Sequence, residues 1–336
     1  MKDILIDCDP GIDDSVALLY ALNHQELNIR AITTVSGNLL SDACSLNARK
    51  ILHLSRSREA RHIPVARGPL KPLVRPYPRD PFSHGNDGLG DIGVIDAGGL
   101  EEDERFAPDL IIETVNECKD IPSEDNLKGL TVLCLGPLTN LALALIKDPT
   151  LPEKIAKVVF IGGSFGFNTA GAVRATGDNP VSEWNVYVDP EAADMVFNAG
   201  FNLLALGLDV VTLPSIELSL DHRQTLRDAA STSPAAKFML DLVDFAKSRQ
   251  FASWCCLIDS LAVAVVIDPS VVEFDRIRVA VETQSRLSLG QTIVDRRERV
   301  DFQWKHLPNI NAARSVDAER FLASLVASLV YSHSEA

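Results

Sequence analysis

The chain has 336 residues, a formal net charge of −14 and a sequence pI near 4.9. That balance argues against nucleic acid or an anionic membrane as partner and leaves small neutral ligands open. Hydrophobic residues make up 46% and charged residues 23%, enough to bury a substantial core in one large domain or two smaller ones. No apolar run approaches the roughly 18 residues of a membrane span.

The first element is a short apolar run, Ile4, Leu5 and Ile6, which predicts a buried strand. With a strand beginning at once, there is no basic and apolar leader pattern, so no signal peptide and a cytoplasmic location are expected. Residues 7–14 follow as DCDPGIDD, four carboxylates in eight positions, and Ser15 to Leu22 behind them has helical, core-facing character. Asp7, Asp9, Asp13 and Asp14 therefore sit in a turn at the C-terminal end of a strand, where open α/β sheets place their ligands. Two carboxylates ~4 Å apart repel by about 4 kcal/mol at an effective dielectric near 20, a cost that a hard, oxygen-coordinated cation removes. A helix N-terminus favours acids through its dipole, which would account for Asp13 and Asp14 but not for Asp7 and Asp9. Metal binding or acid–base chemistry accounts for all four.

Further strands are predicted at Ile29–Ser36, Leu130–Leu135, Ile155–Ile161 and Asn202–Gly207, with helices at Leu39–Ser55, Pro108–Cys118, Leu138–Ile146 and Pro190–Ala199. This alternation predicts a mainly parallel sheet flanked by helices. Arg276–Glu282 and Gln291–Arg296 read as late strands, paired antiparallel. Val316–Ser332 reads as a closing helix capped by Ser315. No linker divides the chain, so a single domain over 1–336 is expected, with long functional loops around 68–99 and 162–185. The cysteines Cys8, Cys44, Cys118, Cys134, Cys255 and Cys256 lie mostly in apolar contexts with no CxxC, which fits reduced thiols rather than zinc.

Four segments close strands or long loops with polar groups: Thr33–Asn38, Leu135–Asn140, Ser182–Pro190 and Leu257–Ala264. In the last, Asp259 stands alone among Leu257, Ile258, Leu261 and Val263; such an acid is costly to bury unless it is paired, metal-bound or capping a helix. Carboxylates and amides together suit a polyhydroxylated ligand, since sugar hydroxyls donate to Asp and Glu and accept from Asn, and calcium chelates vicinal hydroxyls. Phosphate would need Lys, Arg or a glycine-rich nest, which the first turn lacks.

Taken in order, DCDPGIDD at 7–14, TTVSGN at 33–38, HGNDGLG at 84–90, LGPLTN at 135–140, EWN and YVDPEAA across 183–193 and DSLAVA at 259–264 resemble the nucleoside hydrolases of the inosine-uridine-preferring type. The resemblance spans most of the chain. It implies a single α/β domain with a Rossmann-like, mostly parallel sheet, and calcium-dependent hydrolysis of the N-glycosidic bond of ribonucleosides to base and ribose. It implies calcium ligands Asp9, Asp14, the Leu135 carbonyl and Asp259, with Asp9 as general base on calcium-bound water. Asp13 and Asn38 would lie by the 2′-hydroxyl and the water. Glu183 and Asn185 would take the 5′- and 3′-hydroxyls, Asp259 would also contact the 3′ side, and Asp7 would support from behind. A homodimer or homotetramer is implied by the same analogy.

The sequence departs from the family pattern in places. The His found in many members before the last aspartate, serving as acid to the departing base, is Ile258 here, and so is the Trp of some purine-specific members. Leu135 replaces a frequent Thr, harmlessly for a main-chain ligand, and Trp184 replaces the usual Phe. The family's Asn ahead of that segment corresponds to Asn179, with Asn168 as the alternative. His84 is then the one motif-placed histidine and matches a base-associated His of pyrimidine-preferring members, which tilts the expected substrate toward pyrimidine nucleosides. Two other classes compete: a calcium-dependent nucleoside- or ribose-binding protein with little turnover, and a haloacid-dehalogenase-type phosphatase, whose DxD the first turn resembles.

Overall fold

The computed structural model describes residues 1–79, 82–93, 96–123, 127–168 and 174–331. Among the described residues nine strands form one sheet in the order β3-β2-β1-β4-β5-β6-β9-β7-β8. In chain order they are β1 (Lys2–Cys8), β2 (Leu27–Thr34), β3 (Val65–Arg67), β4 (Thr131–Cys134), β5 (Lys157–Ile161), β6 (Leu203–Leu206), β7 (Val272–Val281), β8 (Thr292–Val294) and β9 (Asn309–Val316). From β3 across to β9 all pairings are parallel; β7 runs antiparallel to both β9 and β8.

β1 lies inside the sheet between β2 and β4, with Asp7 opposite Thr33 of β2 and Cys134 of β4. Its two faces enter different cores: Ile4 and Ile6 pack on one side of the sheet, Leu5 on the other. A strand buried on both faces reads as a continuous apolar run rather than an alternation, which is why Ile4–Ile6 is legible. The helix Ile12–Leu22 that follows is buried along nearly its whole length. It packs against the helix Ser260–Ile267, which brings two segments about 245 residues apart in sequence to one end of the sheet. Helices Ala107–Cys118, Thr139–Lys147 and Pro190–Asn198 cover the opposite face.

The α/β alternation and the antiparallel pairing of the late strands stand as expected, with Val279 opposite Val294. Two strands escape the sequence reading. β3 has three residues, and β9 is irregularly apolar yet inserts between β6 and β7. The closing helix runs Ala318–Val330, and its cap is Asp317, whose side chain accepts the Arg320 amide at 3.2 Å. Ser315 does not cap it: it lies in β9 and its hydroxyl donates to Glu273 at 2.8 Å. The expected end of that helix, Ser332, and parts of the two long loops (80–81, 94–95 and 169–173) lie outside the described residues. Among the described residues no helix is long and apolar enough to cross a membrane. Cys8, Cys44, Cys118, Cys134 and Cys256 are buried free thiols, and Cys255 is half-buried.

Candidate active site

The chain leaves β1 at Cys8 and starts its helix at Ile12, so the DCDPGIDD turn lies at the C-terminal edge of the sheet. Each acid there has a different task. Asp7, still in the strand, accepts the Thr33 hydroxyl and the Asn140 side-chain amide, both at 2.7 Å on Oδ1. Its carboxyl is pushed up to about 7, chiefly by burial, and it braces β2 and the LGPLTN turn rather than facing a ligand. Asp14 closes the turn on itself: its oxygens accept the backbone amides of Asp9 and Gly11 at 3.0 Å each and the Asn38 side-chain amide at 2.9 Å.

Asp9 accepts the Asn38 backbone N–H on Oδ2 at 2.6 Å, while its buried Oδ1 has no protein partner. Two glycines make room for it. A Cβ on Gly37 would stand 2.0 Å from Asp9 Oδ2, and one on Gly136 2.5 Å from Oδ1. Asp13 also keeps a buried, unpartnered Oδ1. Asp259 occupies the N-cap position of Ser260–Ile267 but makes no capping hydrogen bond, so the capping role open to it in the sequence is not its role. Burial, reinforced by neighbouring carboxylates, holds the Asp9, Asp13 and Asp259 carboxyls well above their usual range.

Carboxylate oxygens of Asp13, Asp14 and Asp259 come within 4.8 Å of one another. Buried acids with unsatisfied oxygens in such proximity are the donor set of a hard cation, so these residues fit one. The ligand set expected from sequence is brought together in part. Asp14 and Asp259 meet, Asp13 completes the trio, and Asp9 lies beside Asp14 with one oxygen turned to Asn38. The Leu135 carbonyl accepts the Asn185 side-chain amide at 2.6 Å.

A cavity of about 280 Å³ opens beside the cluster, lined at one end by Asp13, Asn38, Asp259, Glu183 and Asn185. Glu183 caps the short helix Trp184–Val188, accepting the amides of Asn185 at 2.8 Å and of Val186 and Gly163 at 3.0 Å. Burial pushes its carboxyl up to about 7. The remaining wall is largely apolar, with Trp184, Phe251, Trp254 and Ile258, and carries His84. His84 Nδ1 accepts the Ile12 amide at 3.1 Å and stands 3.8 Å from Asp13 Oδ1. A ring nitrogen that accepts carries no proton, so the neutral ring holds its proton on Nε2. The 3.8 Å approach to Asp13 is therefore a contact of a neutral imidazole, not an ion pair.

Asn179 does not reach the cavity. Its amide nitrogen donates to the Leu289 carbonyl at 2.9 Å and its oxygen accepts the Val181 amide at 3.1 Å, so its polar atoms fasten a surface turn. Asn168, the alternative, donates to the Asp209 carbonyl and also stays off the cavity wall.

The family model described as inosine-uridine preferring nucleoside hydrolase matches residues 4–323. The chain belongs to that family. Nucleoside hydrolases are metal-dependent N-ribosyl hydrolases, and the buried cluster of Asp13, Asp14 and Asp259 could bind a metal. Two curated relatives are the inosine-uridine preferring nucleoside hydrolase of Leishmania major (35% identical, covering 88% of each chain) and the pyrimidine-specific ribonucleoside hydrolase RihA of Shewanella sp. (strain MR-7) (34% identical, covering 98% of this chain and 96% of that one). Among solved structures, the purine-preferring ribonucleoside hydrolase from Gardnerella vaginalis superposes with a TM-score of 0.80 at 30% identity over 98% of both chains.

The sequence reading of this nucleoside hydrolase missed the aromatic wall. Phe251 and Trp254 lie just ahead of the Asp259 segment, and an apolar pair at that spacing has no signal that separates it from core. The glycine packing gives a direct test. Gly136→Ala in the nucleoside hydrolase should displace Asp9 and cut kcat at least about tenfold, against a stability loss of about 1–3 kcal/mol typical of overpacking. Urea unfolding beside steady-state kinetics checks this; a stability loss with unchanged kcat would show that Asp9 tolerates the shift.

Proposed function

We propose that the protein hydrolyses the N-glycosidic bond of ribonucleosides to free base and ribose, using one calcium ion held by Asp9, Asp14, Asp259 and the Leu135 carbonyl, with Asp13 beside them. The observation that supports this best is the set of buried, partly unsatisfied carboxylate oxygens at one end of a cavity whose other end is aromatic. When bound, the cation neutralises the clustered acids and supplies electrostatic activation at the ribose end.

The chain's own residues do the rest. Asp9 takes a proton from the attacking water, its Oδ1 having no other partner. Asn38 fixes Asp9 through its backbone amide and Asp14 through its side chain. Asp13, Glu183, Asn185 and Asp259 accept and orient ribose hydroxyls, and their negative field favours the oxocarbenium character that develops as the bond to the base breaks. Ile258 offers no proton to the leaving base. His84 on the cavity wall does, through the Nε2 proton that its Nδ1 hydrogen bond enforces.

His84→Ala is accordingly expected to lower kcat/KM on natural nucleosides about 10²-fold or more, and to change hydrolysis of a nitrophenyl riboside little, since that leaving group needs no proton. Equal losses on both substrates would assign His84 to ribose positioning or loop structure. We favour pyrimidine nucleosides, supported by His84 and by the similarity to RihA, although the purine-preferring relative is comparably similar. A homodimer or homotetramer is proposed by analogy with the family, to be checked by light scattering.

Reducing-sugar release from a panel of uridine, cytidine, inosine, adenosine and guanosine tests the whole reading. Binding without release would point instead to a ribose-binding protein, the second reading that Ile258 favours. The phosphatase alternative is set aside by the family membership.

A further inference from the structure

The long excursion after Gly68 reaches the clamp on Asp9 through a hydroxyl. Tyr77 Oη donates to the Gly37 carbonyl at 3.1 Å. That carbonyl belongs to the same peptide group as the Asn38 N–H, which donates to Asp9 Oδ2 at 2.6 Å. One planar amide is thus engaged at both ends, by a phenol on its oxygen and by a carboxylate on its hydrogen. The loop is built to deliver the phenol. Pro76 and Pro78 flank Tyr77 and restrict the backbone on either side of it. The Gly68 amide donates to the Thr34 carbonyl at 2.8 Å, and the Ser36 hydroxyl to the Pro69 carbonyl at 2.9 Å. Further along, the buried Asp189 carboxylate accepts the Leu73 amide at 2.9 Å, and Arg75 pairs with Glu191 at 2.7 Å. Asp189 and Glu191 belong to the YVDPEAA segment, which does not line the cavity; its acids tie down the loop instead.

We propose that Tyr77 is a positioning residue for the general base: its hydroxyl polarises the Gly37–Asn38 peptide and so strengthens the hold of the Asn38 N–H on Asp9. The inference rests on the ribonucleoside reading above, in which Asp9 takes the proton from water. A carbonyl oxygen that accepts a hydrogen bond draws electron density from its amide nitrogen, and the N–H becomes the better donor. Linked hydrogen bonds strengthen one another in this way by about 10–30% each. At 2.6 Å the bond from Asn38 to Asp9 is shorter than the usual charge-assisted N–H bond, which fits a donor reinforced from its far side. The hold matters because it decides which oxygen is left to act. With Oδ2 held by Asn38, Oδ1 is the atom without a protein partner. A phenyl ring at position 77 would keep the packing of the loop and lose only the polarisation.

Tyr77→Phe, assayed with calcium supplied, should lower kcat about fivefold, the scale of one neutral hydrogen bond, and change KM less than about twofold. In an Asp9→Asn background, where no base remains to be positioned, the same change should cost less than about twofold. No loss, or the same loss in both backgrounds, would overturn the proposal and leave Tyr77 a packing residue of its loop. A second readout needs no turnover. Labelling glycine carbonyl carbons and asparagine nitrogens selects two peptide groups in this chain, Gly37–Asn38 and Gly85–Asn86, told apart with Asn86→Gln. In Tyr77→Phe the Gly37 carbonyl carbon and the Asn38 amide proton should both move upfield. A Gly37 signal that moves while Asn38 stays, or two signals that both stay, would overturn the coupling. Should Tyr77→Phe fail to fold by circular dichroism, Arg75→Ala, which unfastens the loop from Glu191, should move the same two signals in the same direction; unmoved signals overturn the proposal. If the wild type cleaves no nucleoside, these signals still decide whether Tyr77 strengthens the hold on Asp9, so loss of the hydrolysis reading is distinguished from loss of this one.

Discussion

Asp9→Asn is expected to keep the fold and much of the affinity for ribose while lowering kcat by about 10²–10⁴-fold, the usual cost of removing a general base. The local bonding explains why the fold should survive. The Asn38 backbone N–H at 2.6 Å needs an acceptor, so an asparagine would point its carbonyl there and its NH2 group where Asp9 Oδ1 now lies. The shape is retained, but the position of the unpartnered Oδ1 is then held by a donor that cannot take a proton from water. Gly37 and Gly136 leave space for an atom of this size and no more. Single-turnover kinetics beside calorimetric titration with ribose measures both quantities. Turnover near the wild-type rate would place water activation on another residue.

Removing the metal should be the other large effect. Chelation followed by dialysis is expected to abolish base release, and added calcium to restore it better than zinc, because the candidate donors are carboxylate and carbonyl oxygens with no thiolate or imidazole among Asp9, Asp13, Asp14, Asp259 and Leu135. The metal-free state should also have a distinctive pH response. A buried carboxyl whose folded value lies above its unfolded one stabilises the fold fully below the unfolded value and loses that contribution as pH rises through the folded one. For Glu183 and Asp7 the folded value is about 7, so the loss falls between roughly pH 4 and pH 7. The proposed calcium ligands Asp9 and Asp259, whose carboxyls burial likewise holds well above their usual range, add to the loss, and calcium opposes that part by favouring their ionised form. The gain in melting temperature on adding calcium should therefore widen from pH 5 to pH 7. A metal-free sample with full activity, or a calcium-induced shift independent of pH, would sink this account.

Much of this arrangement is legible in the sequence because its determinants are local. A strand buried on both faces has to be a run such as Ile4–Ile6, and a parallel sheet has to alternate with helices. Four acids in one turn require an explanation whatever the fold. The illegible parts depend on distant partners. β3 has only three residues, and β9 has an irregular apolar pattern that becomes a strand through its neighbours on either side. Asp317 rather than Ser315 caps the last helix because β9 continues through Val316. Asn179 matched by order along the chain, but its amide is used by Leu289, 110 residues away in sequence. Asp259 could be a cap or a ligand until the packing of its helix on Ile12–Leu22 brought it to Asp13 and Asp14.

The position of β9 also bears on how the chain acquires its shape during synthesis. Seven of the nine strands have been made by residue 281 and an eighth by residue 294, yet the one that joins β6 to β7 is completed only at Val316. Until then the growing polypeptide has two incomplete sheet fragments, each with an unpaired interior edge open to the wrong neighbour. Closure thus awaits residue 316, and a ribosome stalled near residue 300 would present a chain whose acidic turn is already made but whose sheet is split between β6 and β7. Such a product is expected to be a client for chaperones rather than a smaller working enzyme.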